Sequence, residues 1–325
     1  MLTFLGLVAG IALLIGGGTL LVRGASEIAT RLGVSPLIVG LIVVGFGTSA
    51  PELAINVFGA LRGEMGIAFG NVVGSNISNL ALVLGAAALV APITIQGQLV
   101  RREVPFLVLV TIIITVMALD RPLEGLPPII SRSESIVLLL LFCVFIYINV
   151  LDFVKSRSSD KLIIDIEQHR RVDADPYSRY RWLFVIGGIA LLFGGGEVTI
   201  RNGVALASHL GVSSTVIGLF VVAVGTSMPE LVTSIVAAKR GESDLALGNV
   251  VGSNIFNSLM VLPASGVISQ IPVPRGGIGD LILSLVLAAL LIPTFFLRKA
   301  RLTRRIGVLL LLLYFGYAVF RIYFE

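Results

Sequence analysis

Ten apolar runs divide the chain, at 2–22, 36–61, 66–90, 105–119 and 136–154, then at 182–206, 216–238, 245–268, 281–297 and 306–323. They are unbroken over about 20 residues instead of alternating at period two, which predicts lipid-spanning helices and excludes a β-barrel. Between the fifth and sixth runs, 155–181 is the one extended polar stretch, with acids and bases mixed and no apolar periodicity. The pattern predicts an all-α integral membrane protein of ten transmembrane helices. A first five-helix unit occupies 1–154, a linker 155–181 and a second five-helix unit 182–325, the linker being too short for a sizeable regulatory domain.

The two units are copies of one another. Residues 33–84 align with 211–262 without a gap at a constant offset of 178, and roughly half of the aligned positions are identical, more than shared hydrophobicity supplies. Gly17 and Gly18 fall over Gly195 and Gly196 at the same offset, and Arg23 falls over Arg201. With five spans per unit, the second copy enters the membrane from the opposite side, so the repeats are inverted, as in secondary transporters.

Composition agrees: 56% of the 325 residues are hydrophobic and 13% charged. The single cysteine, Cys143, lies inside an apolar run, which excludes an internal disulfide and a thiolate metal cluster and makes it a small apolar residue. A net charge of +5 does not call for nucleic acid, because basic residues in a membrane protein mark the cytoplasmic side. Placing 155–181 in the cytoplasm puts 18 of the 24 Lys and Arg there and 6 on the other side. Both termini are then expected to face outward from the cell (inner) membrane. Met1 to Phe4 carry no basic n-region, so the first run is expected to stay as a transmembrane helix.

Chemistry concentrates where the apolar pattern is broken. Residues 45–52 read Gly-Phe-Gly-Thr-Ser-Ala-Pro-Glu and residues 223–230 read Ala-Val-Gly-Thr-Ser-Met-Pro-Glu. A carboxylate at the bilayer centre costs roughly 2.5 to 3.5 kcal/mol and a helix-interior proline about 3 more, on the order of 10 kcal/mol for two copies, which argues for a function. Thr48 and Glu52 are four apart, as are Thr226 and Glu230, so hydroxyl and carboxylate share a face. In the next helix Ser75 and Asn79, and in its copy Ser253 and Asn257, repeat that spacing. Pro51 and Pro229 cannot donate to the carbonyls of Gly47 and Gly225, which adds main-chain oxygen. An inventory of oxygen alone, without histidine or thiolate, selects Ca²⁺ or Na⁺ over zinc or copper and disfavours Mg²⁺. Two ionised glutamates give a charge of −2, which one Ca²⁺ or competing Na⁺ ions can balance, a physical basis for exchange.

Gly-Thr-Ser-x-Pro-Glu followed by Gly-Asn-Val-Val-Gly-Ser-Asn-x-x-Asn, present twice, resembles the α-repeats of the sodium/calcium exchanger family within the cation/Ca²⁺ exchanger superfamily. The resemblance implies electrogenic, Na⁺-driven Ca²⁺ antiport by alternating access, with the first helix of each half sliding across a rigid core. It implies no enzymatic activity, no cofactor, a monomeric functional unit in the lipid bilayer, and Ca²⁺ and Na⁺ as transported substrates. Carried over by position, Glu52 and Glu230 are the central ligands, joined by side chains of Thr48, Ser49, Ser75, Asn79, Thr226, Ser227, Ser253 and Asn257. Main-chain oxygens of Gly45 and Ala223 complete the implied set, in place of the Gly47 and Gly225 that the prolines single out.

One position departs from part of the family: Asn257 stands where K⁺-dependent relatives carry Asp, which argues against K⁺ dependence. Ca²⁺/H⁺ exchange is the alternative reading, since protons can replace Na⁺ on the glutamates. A channel would need a continuous pore, and an intramembrane hydrolase has only the paired carboxylates in its favour. Ser49, Ser227, Asn71, Asn76, Asn249 and Asn254 are open to an interhelical packing role. Glu197 reads as a surface carboxylate near a helix end.

Overall fold

A computed structural model describes residues 2–63, 65–94, 99–120, 125, 127–159, 180–209, 223–292 and 301–324. The first apolar run is predicted to end at 22, but helix α1 spans Leu2–Leu32. It continues because Arg23 Nε donates to Glu27 Oε1 at 2.9 Å one turn on, and it stops at Gly33, whose φ of +64° ends the helix without strain. Ser35 then caps α2 (Pro36–Thr48), its hydroxyl accepting from Leu37 N at 3.2 Å. α2 and α3 (Ala50–Leu61) meet at 43°, so the predicted span 36–61 is one broken span.

The chain continues as α4 (Met65–Ile77), a wide π-turn at Ser78–Val83, and α5 (Leu84–Val90). Strand β1 (Ile93–Thr94), a further π-turn at Leu99–Glu103, α6 (Val104–Met117), β2 (Ile129–Ile130) and α7 (Arg132–Ser159) complete the first half. The second half holds α8 (Arg181–His209), α9 (Ala223–Thr226), α10 (Met228–Lys239) and α11 (Ser243–Phe256). A π-turn at Asn257–Val261 leads to α12 (Leu262–Ile268), followed by β3 (Ile271–Pro272), α13 (Gly277–Ala289), β4 (Arg301–Leu302) and α14 (Arg304–Phe324). The predicted linker is shortened at both ends, since α7 carries its helix through 155–159 and α8 starts at Arg181. Its centre, 160–179, lies outside the described residues, as do 210–222 at the start of the seventh run.

Grouped across their breaks, these helices make ten spans, the all-α membrane fold that the apolar runs predict. Among the described residues five helices are long and apolar enough to cross a membrane alone, and α2 with α3 adds a sixth as a bent pair. Burial separates a centre from a rim. In the apolar 18-residue stretch of each span, 94% of the residues are buried in α11–α12 and 83% in α4–α5, against 33% in α1 and α8 and 22% in α7. Phe4, Leu140, Leu183 and Leu312 are exposed, as lipid-facing side chains must be.

Two short ladders bind the halves together. Ile93 and Thr94 of β1 pair antiparallel with Leu302 and Arg301 of β4, and Ile129 and Ile130 of β2 pair with Pro272 and Ile271 of β3. β1 and β3 occupy matching places in the two repeats, at the offset of 178, so the ladders follow the same internal symmetry.

Helices α1 and α8 run antiparallel with their backbones in close approach. A Cβ on Gly17 would lie 2.8 Å from Gly188 O and from Leu192 N, and one on Gly188 would lie 2.6 Å from Leu21 N. Replacing Gly188 with Val is expected to separate the pair and to cost several kcal/mol, about 3 or more, read as a lowered unfolding temperature of the purified protein. An unchanged melting curve would rule out this packing. Glu197 lies mid-helix in α8, exposed and ion-paired with Arg201 at 3.3 Å, instead of near a helix end.

Candidate cation site

The break in the second span creates the site. Ser49 leaves helical geometry with φ −91° and ψ 7°, and Ser227 does the same in the other repeat with φ −86° and ψ 9°. Pro51 and Pro229 thereby fall in the first turns of α3 and α10, where a missing N–H costs little. The helix-interior proline penalty expected from the sequence is not incurred, because the chain breaks just ahead of each ring. Glu52 and Glu230 occupy those same first turns, where the positive end of the helix dipole favours a carboxylate.

Glycines bring the two repeats into contact at this level. A Cβ on Gly45 would meet Ser253 N at 2.9 Å, and one on Gly248 would meet Leu37 O at 2.8 Å, so α2 and α11 touch along their backbones. Across that contact Ser253 Oγ donates to Gly45 O at 3.1 Å. Thr48 Oγ1 lies 3.0 Å from Asn249 Oδ1, 3.3 Å from Gly45 O and 3.4 Å from Ser253 Oγ. Ser49 Oγ donates to Glu230 Oε1 at 3.0 Å. Glu52 and Glu230 interact electrostatically with each other. The structure thus brings Gly45, Thr48, Ser49 and Glu52 of one repeat to Glu230 and Ser253 of the other.

Both glutamates are 1% exposed, and Ser49, Ser227, Ser253, Asn79 and Asn257 are no more exposed than that. Ser75 is buried on α4, which packs against α9, the turn that carries Thr226. Thr226 is half-buried, and Ala223 opens α9 directly after residues that lie outside the described set. Gly45 O is the carbonyl on which hydroxyls converge. Gly47 and Gly225 instead face Ile189 and Ile200 of α8.

The balance of donors and acceptors is unusual for a protein interior. Glu52 Oε2, Glu230 Oε2, Asn79 Oδ1, Asn257 Oδ1 and Ser227 Oγ are buried and find no hydrogen-bond partner among the described residues. Buried polar atoms are ordinarily satisfied, and leaving one bare costs about 1 to 3 kcal/mol. Two carboxylate oxygens and three further oxygens left bare in this way fit a cation better than they fit a packing role. Among the described residues no group of three or more His, Cys, Asp and Glu could hold a metal, so a cation held by the two carboxylates would also need hydroxyl or amide oxygen.

Sequence reasoning missed two features of this site. The π-turns begin at Ser78 and Asn257, so Asn79 and Asn257 stand on a widened turn and not on the regular α-helical stripe that their spacing suggested. No residue type signals such a turn. The other is Asn249, read as open to a packing role, which reaches Thr48, Ser234 Oγ at 2.9 Å and Glu230 O at 3.2 Å. Its repeat mate Asn71 donates to Asn56 Oδ1 at 2.7 Å, and Asn56 holds the place of Ser234. The shared offset was the available clue.

A family model described as sodium/calcium exchanger protein matches residues 2–151 and 180–323. The chain is 36% identical to the putative antiporter CaxA of Alkalimonas amylolytica over 95% of each chain. It is 29% identical to the sodium/calcium exchanger MaX1 of Methanosarcina acetivorans over 98% of each. Its fold superposes on a structure of the sodium-calcium exchanger NCX_Mj with a TM-score of 0.81, at 28% identity and with 98% of each chain covered.

Proposed function

The chain belongs to the sodium/calcium exchanger protein family and is a cation/Ca²⁺ antiporter, and from that premise we propose that Na⁺ is the coupling ion, exchanged for Ca²⁺ at the buried carboxylate pair. Glu52 and Glu230 hold the ion, with side-chain oxygens of Thr48, Ser49, Ser75, Asn79, Thr226, Ser227, Ser253 and Asn257 and main-chain oxygens of Gly45 and Ala223 around them. The observation that carries this reading is the set of five buried oxygens without partners, which a hard cation would satisfy.

Charge and geometry support the cycle. One Ca²⁺ balances two carboxylates, and Na⁺ ions compete for the same oxygens, so each species displaces the other. More than two Na⁺ per Ca²⁺ makes the exchange electrogenic. Helices α1 and α8, packed backbone to backbone and far less buried than α4–α5 and α11–α12, are the elements that shift across the core. The pairing of β1 with β4 and of β2 with β3 requires each couple to share a membrane face. The ten-span topology with both termini outside the cell membrane and 155–181 in the cytoplasm meets that requirement.

Purified protein in vesicles loaded with Na⁺ is expected to take up ⁴⁵Ca²⁺ from Na⁺-free medium, and uptake is expected to stop when the Na⁺ gradient is removed. The same vesicles under a pH gradient alone should accumulate none. Uptake driven by protons without Na⁺ would replace this reading with Ca²⁺/H⁺ exchange.

A further inference from the structure

Resting on the reading above, we propose that Asn249, outside the expected ligand set, is a positioning residue that makes Thr48 an acceptor-only ligand for the transported cation. Asn249 is fully buried. Its Nδ2 lies 3.2 Å from Glu230 O, and a carbonyl can only accept, so the amide edge that carries protons must face that side. The second proton goes to Ser234 Oγ at 2.9 Å. Both donors are then committed to the second repeat, and Oδ1 is left on the opposite edge, where only a donor can satisfy it.

That donor is Thr48 of the first repeat, at 3.0 Å. A threonine hydroxyl has one proton and two lone pairs. Three acceptors lie within 3.4 Å of it, Asn249 Oδ1 being the nearest, ahead of Gly45 O at 3.3 Å and Ser253 Oγ at 3.4 Å, and the Glu230 carboxylate is also within its reach. With the proton held by the amide, the lone pairs are what Thr48 offers to an approaching cation. Without Asn249 the proton is shared among the remaining acceptors, Gly45 O and Ser253 Oγ, so the lone pairs are no longer fixed toward the ion and Thr48 becomes a poorer ligand. The chain of bonds also runs from Glu230 main chain through Asn249 to Thr48, one turn ahead of Glu52 on the same broken span. The amide thus joins Ser49 and Ser253 in tying the two halves of the site together.

The test is a double-mutant cycle on the full chain in vesicles, reading half-saturating Ca²⁺ and maximal rate for Asn249→Ala, Thr48→Val and both together. Each single change is expected to raise half-saturating Ca²⁺ about tenfold with the maximal rate within about twofold, since one oriented ligand is lost in either case. The double variant should be no worse than the weaker-binding single one, because both changes remove the same interaction. A multiplicative, about hundredfold rise would overturn the proposal, as would an Asn249→Ala protein with unchanged half-saturation and a lower maximal rate. If Asn249→Ala does not fold, Ser234→Ala removes one of the two anchors instead. It should raise half-saturation about threefold, and only while Thr48 is present. Calorimetric Ca²⁺ binding on the same proteins separates this proposal from the one it rests on. Ca²⁺ binding without Na⁺-driven flux would sink the coupling ion and leave the cycle readable.

Discussion

Glu52→Gln and Glu230→Gln, made singly, are expected to lower Na⁺-driven Ca²⁺ flux by at least about a hundredfold while leaving the protein folded. The loss follows from charge and from chemistry. The amide removes one of two negative charges and can aim an N–H donor at the cation where an oxygen lone pair stood. The effect on stability runs the opposite way. Each carboxylate is 1% exposed and has one oxygen without a partner, so in Ca²⁺-free buffer its charge is a burden on the fold. Both variants should melt at or above the wild-type temperature without Ca²⁺, and the rise in melting temperature expected of the wild type on adding Ca²⁺ should be absent from both. Wild-type flux in either variant would remove that glutamate from the site.

The second large effect is expected at Gly252. A Cβ there would lie 2.7 Å from Leu41 Cα and 2.9 Å from the Leu41 carbonyl carbon, main-chain atoms that cannot swing aside. Gly252→Ala should force α11 from α2, destabilise the protein by about 2 to 4 kcal/mol and break the reach of Ser253 to Gly45 O. Size-exclusion profiles and thermal melts read the first consequence, and weakened Ca²⁺ binding in any folded fraction reads the second. A Gly252→Ala protein with wild-type melting and binding would show that the two backbones do not touch.

Much of the architecture was legible because lipid imposes a simple rule: a span must be long, apolar and internally hydrogen-bonded. The inverted repeat was legible for a similar reason, since two copies of Gly-Thr-Ser-x-Pro-Glu at one offset leave little room for another arrangement. Helix ends were less so. Arg23, Glu27 and Arg31 look like a boundary by hydropathy, yet α1 runs through them because an ion pair one turn apart suits a helix that has left the hydrocarbon.

What the residues could not show was how symmetry is broken. Ser49 reaches Glu230 across the repeats, whereas Ser227, its copy, leaves Glu52 Oε2 without that bond. Identical motifs diverge here because their neighbours differ: Gly45 is matched by Ala223, and Asn56 by Ser234. The π-turns stayed hidden because they depend on packing and not on composition. The two-residue strands stayed hidden because two residues carry no period.

Those strands also bear on how the protein is made. Ile93 and Thr94 leave the ribosome roughly two hundred residues before Leu302 and Arg301, which at 5 to 20 residues per second is about 10 to 40 s of synthesis. During that interval the edge of β1 has no mate. Each half therefore makes its strand pairings only with the other, and neither ladder can close until the second half has been made.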